Sequence, residues 1–301
     1  MRSGFVSLLG RPNAGKSTLL NRMVGAHLAI VSDKPQTTRT RILGAKNLPD
    51  GQILFLDTPG VHRPMHRMNV RMVDAAIGAA READVVALVV DASEDVGRGT
   101  EFLLGLLPQI AQPVVLVLNK IDRLKKHKLL PVIEWFSGKH AFADVVPVSA
   151  ATGDNVEALE RVLLSHLPEG PPLYPEDYLT DQSARSLAAE MVREQVLQHT
   201  RAELPFTTAV VVDRWEEDEE DEEAPLAIYC SILVEEPSQK PIIVGKGGEM
   251  IKAIGTAARK QIEAFFERRV YLDLHVKVKE DWRESDRTLD ELGLPQTKRK
   301  K

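Results

Sequence analysis

The richest chemistry in the chain stands at Gly10-Arg11-Pro12-Asn13-Ala14-Gly15-Lys16-Ser17. Glycines five residues apart let consecutive backbone N–H groups curl round an anion. Lys16 adds a positive charge, and Ser17 a hydroxyl suited to a hard cation. An apolar run, FVSLLG (5–10), precedes the loop, and a helical stretch opens at Lys16, with Thr18 counted beside Ser17 among the nucleotide-binding residues. The loop therefore lies between a strand and a helix N-terminus, whose dipole favours phosphate. The spacing predicts a nucleoside triphosphate site, with Lys16 on the β and γ phosphates and Ser17 on Mg²⁺.

The base is read elsewhere. Asn119-Lys120-Ile121-Asp122 closes another apolar run. A carboxylate at Asp122 can accept both N1–H and the N2 amino group of guanine. Adenine offers no such donor pair and would leave the charge unpaired, at a cost of several kcal/mol. The stem of Lys120 can cover the base, and Asn119 can brace the phosphate loop. Ser149-Ala150-Ala151 ends the next strand, where a backbone N–H would meet guanine O6. Asp57-Thr58-Pro59-Gly60 supplies a carboxylate for Mg²⁺ through water and an N–H for the γ-phosphate. Between these lies Gln36-Thr37-Thr38-Arg39-Thr40, where a threonine could complete the Mg²⁺ shell. Thr38 is preferred and Thr37 stays open.

Five short runs rich in Val, Leu and Ile must carry these groups: 5–10, 52–57, 85–91, 113–119 and 144–149. Each is apolar on both faces, as buried parallel strands are. Helical stretches lie between them, among them 16–24 and 156–166. The pattern predicts an α/β domain over 1–168, with a mostly parallel sheet and ligand groups at the strands' carboxyl ends. Four prolines between Pro168 and Pro175 then predict an extended, semi-rigid linker over 169–180.

A second, α+β domain is expected over 181–301: a helix (181–202), strands 206–214 and 226–236, a helix (249–268) and an alternating strand (270–278). Val244-Gly245-Lys246-Gly247-Gly248 places a G-x-x-G loop before that second helix. The loop resembles that of KH domains, which clamp the backbone of about four single-stranded nucleotides. Residues 240–279 hold nine Lys or Arg against four acids. Lys252, Arg259 and Lys260 follow the loop, within reach of phosphates. Ile251 and Ile254 read first as core, though a KH groove uses both. The terminal Lys298-Arg299-Lys300-Lys301 reads as nonspecific attraction or a solubilising tail.

Net charge is −5, but residues 216–223 form an unbroken run of eight acids that outweighs it, leaving the rest basic. This run reads as a solvated loop, and the acidic total excludes no nucleic-acid partner. Hydrophobic content of 43% suits a chain that buries a core. A single cysteine, Cys230, precludes an internal disulfide and suits a reducing, cytoplasmic setting. No run is long enough to span a bilayer, and a phosphate loop at Gly10 leaves no room for a signal peptide.

Together, GRPNAGKS, QTTRT, DTPGVH and NKID resemble the translation-factor-like GTPases, and within them the Era family. With the G-x-x-G domain counted, the resemblance covers the whole chain. It implies a GTP/GDP switch with Mg²⁺, a type II KH domain, binding near the 3′ end of small-subunit ribosomal RNA, and a role in 30S subunit assembly. A monomer is expected, with peripheral membrane association as a further family trait. Val61 stands where Ras-like enzymes carry the water-orienting glutamine, so slow intrinsic turnover is expected. Relatives with asparagine at the Asn13 position can use K⁺ as a charge-stabilising element. His62 is a second candidate, read first as a solvent-facing loop histidine. Two other readings stay open: a nucleotide-stabilised RNA module with incidental hydrolysis, and a membrane-associated regulator.

Overall fold

The computed structural model describes residues 1–294 except Pro35, 201–203, 219–220 and 222–223. Described residues divide into two units, one of 1–29 and 36–181, the other of 30–34 and 182–294.

The first unit comprises β1 (Arg2–Gly10), α1 (Lys16–Val24), β2 (Ile42–Leu48), β3 (Gly51–Asp57), α2 (Arg67–Glu82), β4 (Val85–Asp91), α3 (Arg98–Leu104), β5 (Val114–Asn119), α4 (Leu129–Ser137), β6 (Asp144–Pro147) and α5 (Val156–His166). The sheet order is β2-β3-β1-β4-β5-β6. Every pairing is parallel except that of β2 with β3. All residues of β3 and β5 are buried, as strands covered by helices on both faces require. Each large apolar side chain withdrawn from water here contributes about 1.5–3 kcal/mol.

β2 is an addition to the expected set. Its ILGAKNL mixes small and polar residues, so no periodicity announced it; pairing along the whole of β3 makes it a strand. The proline-rich stretch is not the extended spacer its composition predicts: it bends at 173–174 and turns at 175–178, where Tyr178 N–H donates to Pro175 O at 3.1 Å. It is laid against the sheet edge: Gln52 bonds the backbone of Leu173 and Tyr174, and Ala45 N–H donates to Leu179 O at 2.9 Å. Tyr174 stacks on Tyr178 at 4.3 Å.

The second unit contains α6 (Ala184–His199), α7 (Leu204–Thr207), β7 (Ala209–Glu216), β8 (Leu226–Val234), α8 (Lys240–Val244), α9 (Glu249–Phe266), β9 (Val270–Val278) and α10 (Asp286–Glu291). β8 is central, antiparallel to β7 and parallel to β9. Val192 and Val196 of α6 and Ile254, Ala258 and Ile262 of α9 cover one face of the sheet with Ile228, Cys230 and Ile232. Burial, with the charges of Asp213 and Asp273 as smaller contributions, pushes the Cys230 thiol up to about 12, so it acts as a small apolar core group. The first strand begins at Ala209, not 206, because Leu204–Thr207 close a helical turn whose Thr207 carbonyl accepts from the buried Trp282 indole at 2.8 Å. The described residues of the acidic run are exposed, as expected of a solvated segment, though Glu216 still belongs to β7 and Glu217 accepts from the Trp215 indole and pairs with Arg268 at 3.3 Å. Lys298–Lys301 lie outside the described residues. Among the described residues, no helix is long and apolar enough to cross a membrane.

Candidate nucleotide and RNA sites

In the first unit, β1 delivers the phosphate loop to the sheet's carboxyl edge and α1 begins at Lys16. Gly15 has φ +91°, and a Cβ there would lie 2.2 Å from Asn119 Nδ2, so only glycine lets the loop pass. Asn119 then ties three segments together. Its Nδ2 donates to Ala14 O at 2.8 Å, and its Oδ1 accepts from Ala150 N–H at 2.9 Å. The bracing role expected of Asn119 thus extends to the Ser149-Ala150-Ala151 segment. Ser149 Oγ donates to Asp122 Oδ1 at 2.6 Å, orienting that carboxylate. Arg22, at the end of α1, donates to the carbonyls of Ala150 and Ala151. No motif contained Arg22, because its partners lie 128 and 129 residues away.

Three oxygens converge beside Lys16. Ser17 Oγ lies 2.7 Å from Thr38 Oγ1 and 2.7 Å from Asp57 Oδ2, and Thr38 Oγ1 lies 3.2 Å from that same carboxylate oxygen. It is the Thr38 hydroxyl, buried, that lies in this cluster, whereas Thr37 is half-exposed. Asp57 Oδ1 is buried without a hydrogen-bond partner. Hard oxygen ligands with a spare buried carboxylate oxygen fit Mg²⁺, which takes one or two protein oxygens and completes its octahedron from water and phosphate. Burial pushes Lys16 below and Asp57 above their ordinary ranges, each opposed by the other's charge. Lys16 Nζ meanwhile donates to the carbonyls of Gly10 (3.3 Å) and Arg11 (3.2 Å).

Asp57-Thr58-Pro59-Gly60 is anchored at both ends: Thr58 Oγ1 donates to Leu8 O at 2.7 Å and Val61 N–H to Gly10 O at 2.9 Å. The Val61 side chain is fully buried among Leu9, Ala76 and Leu88, so it faces core and not solvent. His62 is half-buried, which corrects the solvent-facing reading. Asn69 of α2 donates to its Nε2 at 2.6 Å, and Nδ1–H donates to Gly60 O at 3.1 Å. Asn13 is exposed at φ +63°. The Arg11 guanidinium turns aside to Glu94 (3.5 Å) and Thr100 (3.4 Å), so Arg11 brings to the phosphate loop its backbone alone.

The second unit places Gly245-Lys246-Gly247-Gly248 between α8 and α9. All three glycines have positive φ (+74°, +60° and +85°), and no atom lies within 4 Å of a Cβ built on Gly247 or Gly248. Lys246 is exposed beside this open backbone. Lys252, Arg259 and Lys260 are exposed on α9, whereas Ile251 is half-buried against the core and Ile254 fully buried. Val244 is also half-buried against that core. A chain of phosphates could approach the loop backbone and meet these cations.

A phosphate loop, a convergent oxygen triad and a guanine-type carboxylate on a mostly parallel sheet define a P-loop GTPase, joined in this chain to a KH-type unit. Residues 5–120 match the model of the 50S ribosome-binding GTPase family, and residues 208–283 that of the KH domain. The chain is 47% identical to GTPase Era of Geobacter metallireducens over 97% of both chains. To that of Heliobacterium modesticaldum it is 44% identical, over 98% of this chain and 97% of the relative. A crystal structure of Aquifex aeolicus Era bound to GDP·AlF4⁻ superposes with a TM-score of 0.93 at 40% identity, covering 98% of this chain and all of that one. An Era complex with MgGDPNP and nucleotides 1506–1542 of 16S ribosomal RNA gives 0.94, with the same identity and coverage. The chain belongs to the Era family of GTPases, and its reaction is the hydrolysis of GTP.

Proposed function

We propose that this protein binds small-subunit ribosomal RNA near its 3′ end through Val244–Gly248, Ile251, Lys252, Arg259 and Lys260, and uses GTP hydrolysis to time its stay on the assembling 30S subunit. The observation that carries this reading is the GKGG loop, open at Gly247 and Gly248 and followed by the exposed Lys252, Arg259 and Lys260 of α9, in one chain with the Ser17–Thr38–Asp57 convergence. The similar Era structure in complex with MgGDPNP and nucleotides of 16S ribosomal RNA supports it. Ser17 and Thr38 hold Mg²⁺ directly and Asp57 through water. Lys16 and the loop N–H groups offset phosphate charge, and Asp122 reads guanine. Thr38 and Gly60 sense the γ-phosphate, so the segments bearing them change with the nucleotide. Affinity for a 3′-terminal small-subunit RNA fragment is expected to differ at least tenfold between the GTP-analogue and GDP forms in a fluorescence anisotropy titration. Equal affinities would favour an RNA module whose hydrolysis is incidental.

Charge neutralisation is ample at this site, but water orientation is poor. Val61 is locked in the core, and both nitrogens of His62 are engaged. Intrinsic hydrolysis is therefore slow. Asn13, exposed on the phosphate loop, is suited to bring a monovalent cation to the phosphates as supplementary charge. Turnover is expected to rise several-fold in K⁺ over Na⁺ at equal ionic strength, and Asn13→Ala to remove the difference. A phosphate-release assay that found equal rates in the two salts would refute the K⁺ role.

A further inference from the structure

β4 ends on a carboxylate that no motif includes. Asp91 is 8% exposed, and both of its oxygens are engaged. Oδ1 accepts from the backbone N–H of Ser93 at 2.9 Å and from its hydroxyl at 2.6 Å, so the side chain is fixed by its own turn. Oδ2 faces Lys120 Nζ at 2.6 Å. Burial works to raise the Asp91 carboxyl, but the hydrogen bonds from Lys120 and Ser93, with the lysine's charge, hold it below the ordinary carboxylate range.

The lysine at the other end is held just as tightly. Lys120 sits at φ +65°, a left-handed conformation that an L side chain adopts where its surroundings impose it. Ile121 N–H donates to Val148 O, and Arg123 N–H to Lys120 O, closing a turn that keeps Lys120 there. From this backbone the stem runs over the phosphate loop: a Cβ on Gly15 would lie 3.9 Å from Lys120 Cε. The ammonium then reaches across to β4. Lys120 is thus a strap fixed at its backbone by the β5 turn and at its tip by Asp91, with its methylenes between.

We propose that Asp91 is a positioning residue for the guanine nucleotide: by holding the tip of Lys120 it keeps the lysine stem in place as the wall against which the base lies, and so sets the nucleotide's residence time. The proposal rests on the reading of Lys120 and Asp122 as base-binding residues. Without Asp91, four rotatable bonds would release the ammonium into water, and each binding event would have to order the stem again. The phosphate contacts would stay as they are. The loss falls on nucleotide dissociation and affinity.

The test is a double-mutant cycle on the full chain, following dissociation of a ribose-labelled fluorescent GDP chased by excess unlabelled GDP. Asp91→Ala is expected to release the nucleotide about tenfold faster, as loss of one partly buried charged hydrogen bond would do. Lys120→Met should release it at least as fast, and the double variant no faster than Lys120→Met alone. A merely structural Asp91 would speed release by the same factor in either background, which overturns the proposal. So does an unchanged rate in Asp91→Ala beside a fast Lys120→Met. An unchanged rate in Lys120→Met instead overturns the reading of Lys120 and the proposal with it. If Asp91→Ala does not fold, Asp91→Asn keeps the side chain's shape while removing its charge, and the same comparison applies with a smaller rise.

Discussion

Asp122→Asn is expected to weaken GTP binding by two to three powers of ten and to raise affinity for xanthosine triphosphate in its place. On the proposed reading the carboxylate accepts from both N1–H and the N2 amino group, two charge-assisted bonds worth about 1.5–3 kcal/mol each. An asparagine at this position keeps one acceptor and turns the other into a donor facing the amino group. Losing one bond and creating a donor–donor clash costs about 3–4 kcal/mol, which sets the expected factor. Xanthine carries a carbonyl at that same carbon, so the amide donor finds an acceptor and the penalty reverses. The substitution is nearly isosteric, and the amide oxygen can still accept from Ser149 Oγ, now 2.6 Å from Asp122 Oδ1. Calorimetric titration with both nucleotides decides the matter. Equal loss for both would mean damage to the site, and no loss for GTP would remove Asp122 from base recognition.

Gly247→Asp carries the second large effect, a loss of at least a hundredfold in affinity for single-stranded RNA with GTPase turnover left intact. Gly247 stands at φ +60° with nothing within 4 Å of a built Cβ. Aspartate is among the residues that tolerate this region, so thermal stability should fall by no more than about 1 kcal/mol. Its carboxylate would occupy the space through which a phosphate approaches the loop, next to Lys246. Repulsion and lost backbone contacts act together there. Gly245 would be a poor choice for this test. A Cβ there would lie 2.7 Å from Met250 N, so a lost affinity could not be told from a displaced α9. Anisotropy titrations at two salt concentrations, with melting curves as control, check the prediction. Unchanged affinity in a folded variant would move the RNA site off this loop.

Much of both units was legible in sequence, for a reason that differs between motifs and elements. The P-loop and GKGG act through consecutive backbone groups, so a contiguous string of residues contains most of their chemistry. α1 and α5 lie at the expected 16–24 and 156–166, and β9 at 270–278, because each carries one strong apolar period between clear stops. β2 escaped notice because a mixed edge strand is stabilised by its partner and not by its own pattern. His62 was misread because nothing in DTPGVH says that Asn69, seven residues on, will meet its ring once α2 forms.

The sequence by itself determined that the first unit binds a triphosphate, that Asp122 can choose guanine, that position 61 has no side chain able to hold water, and that the second unit carries a glycine-rich G-x-x-G loop. Each follows from residue type, which no packing can alter. Only the tertiary structure decided that Thr38 and not Thr37 meets Ser17 and Asp57, that Asn119 clasps Ala14 to Ala150, and that Lys120 is fastened to Asp91. Those contacts join residues from 19 to 105 positions apart. They depend on which strands lie side by side and in what register, and the burial of the whole sheet fixes that.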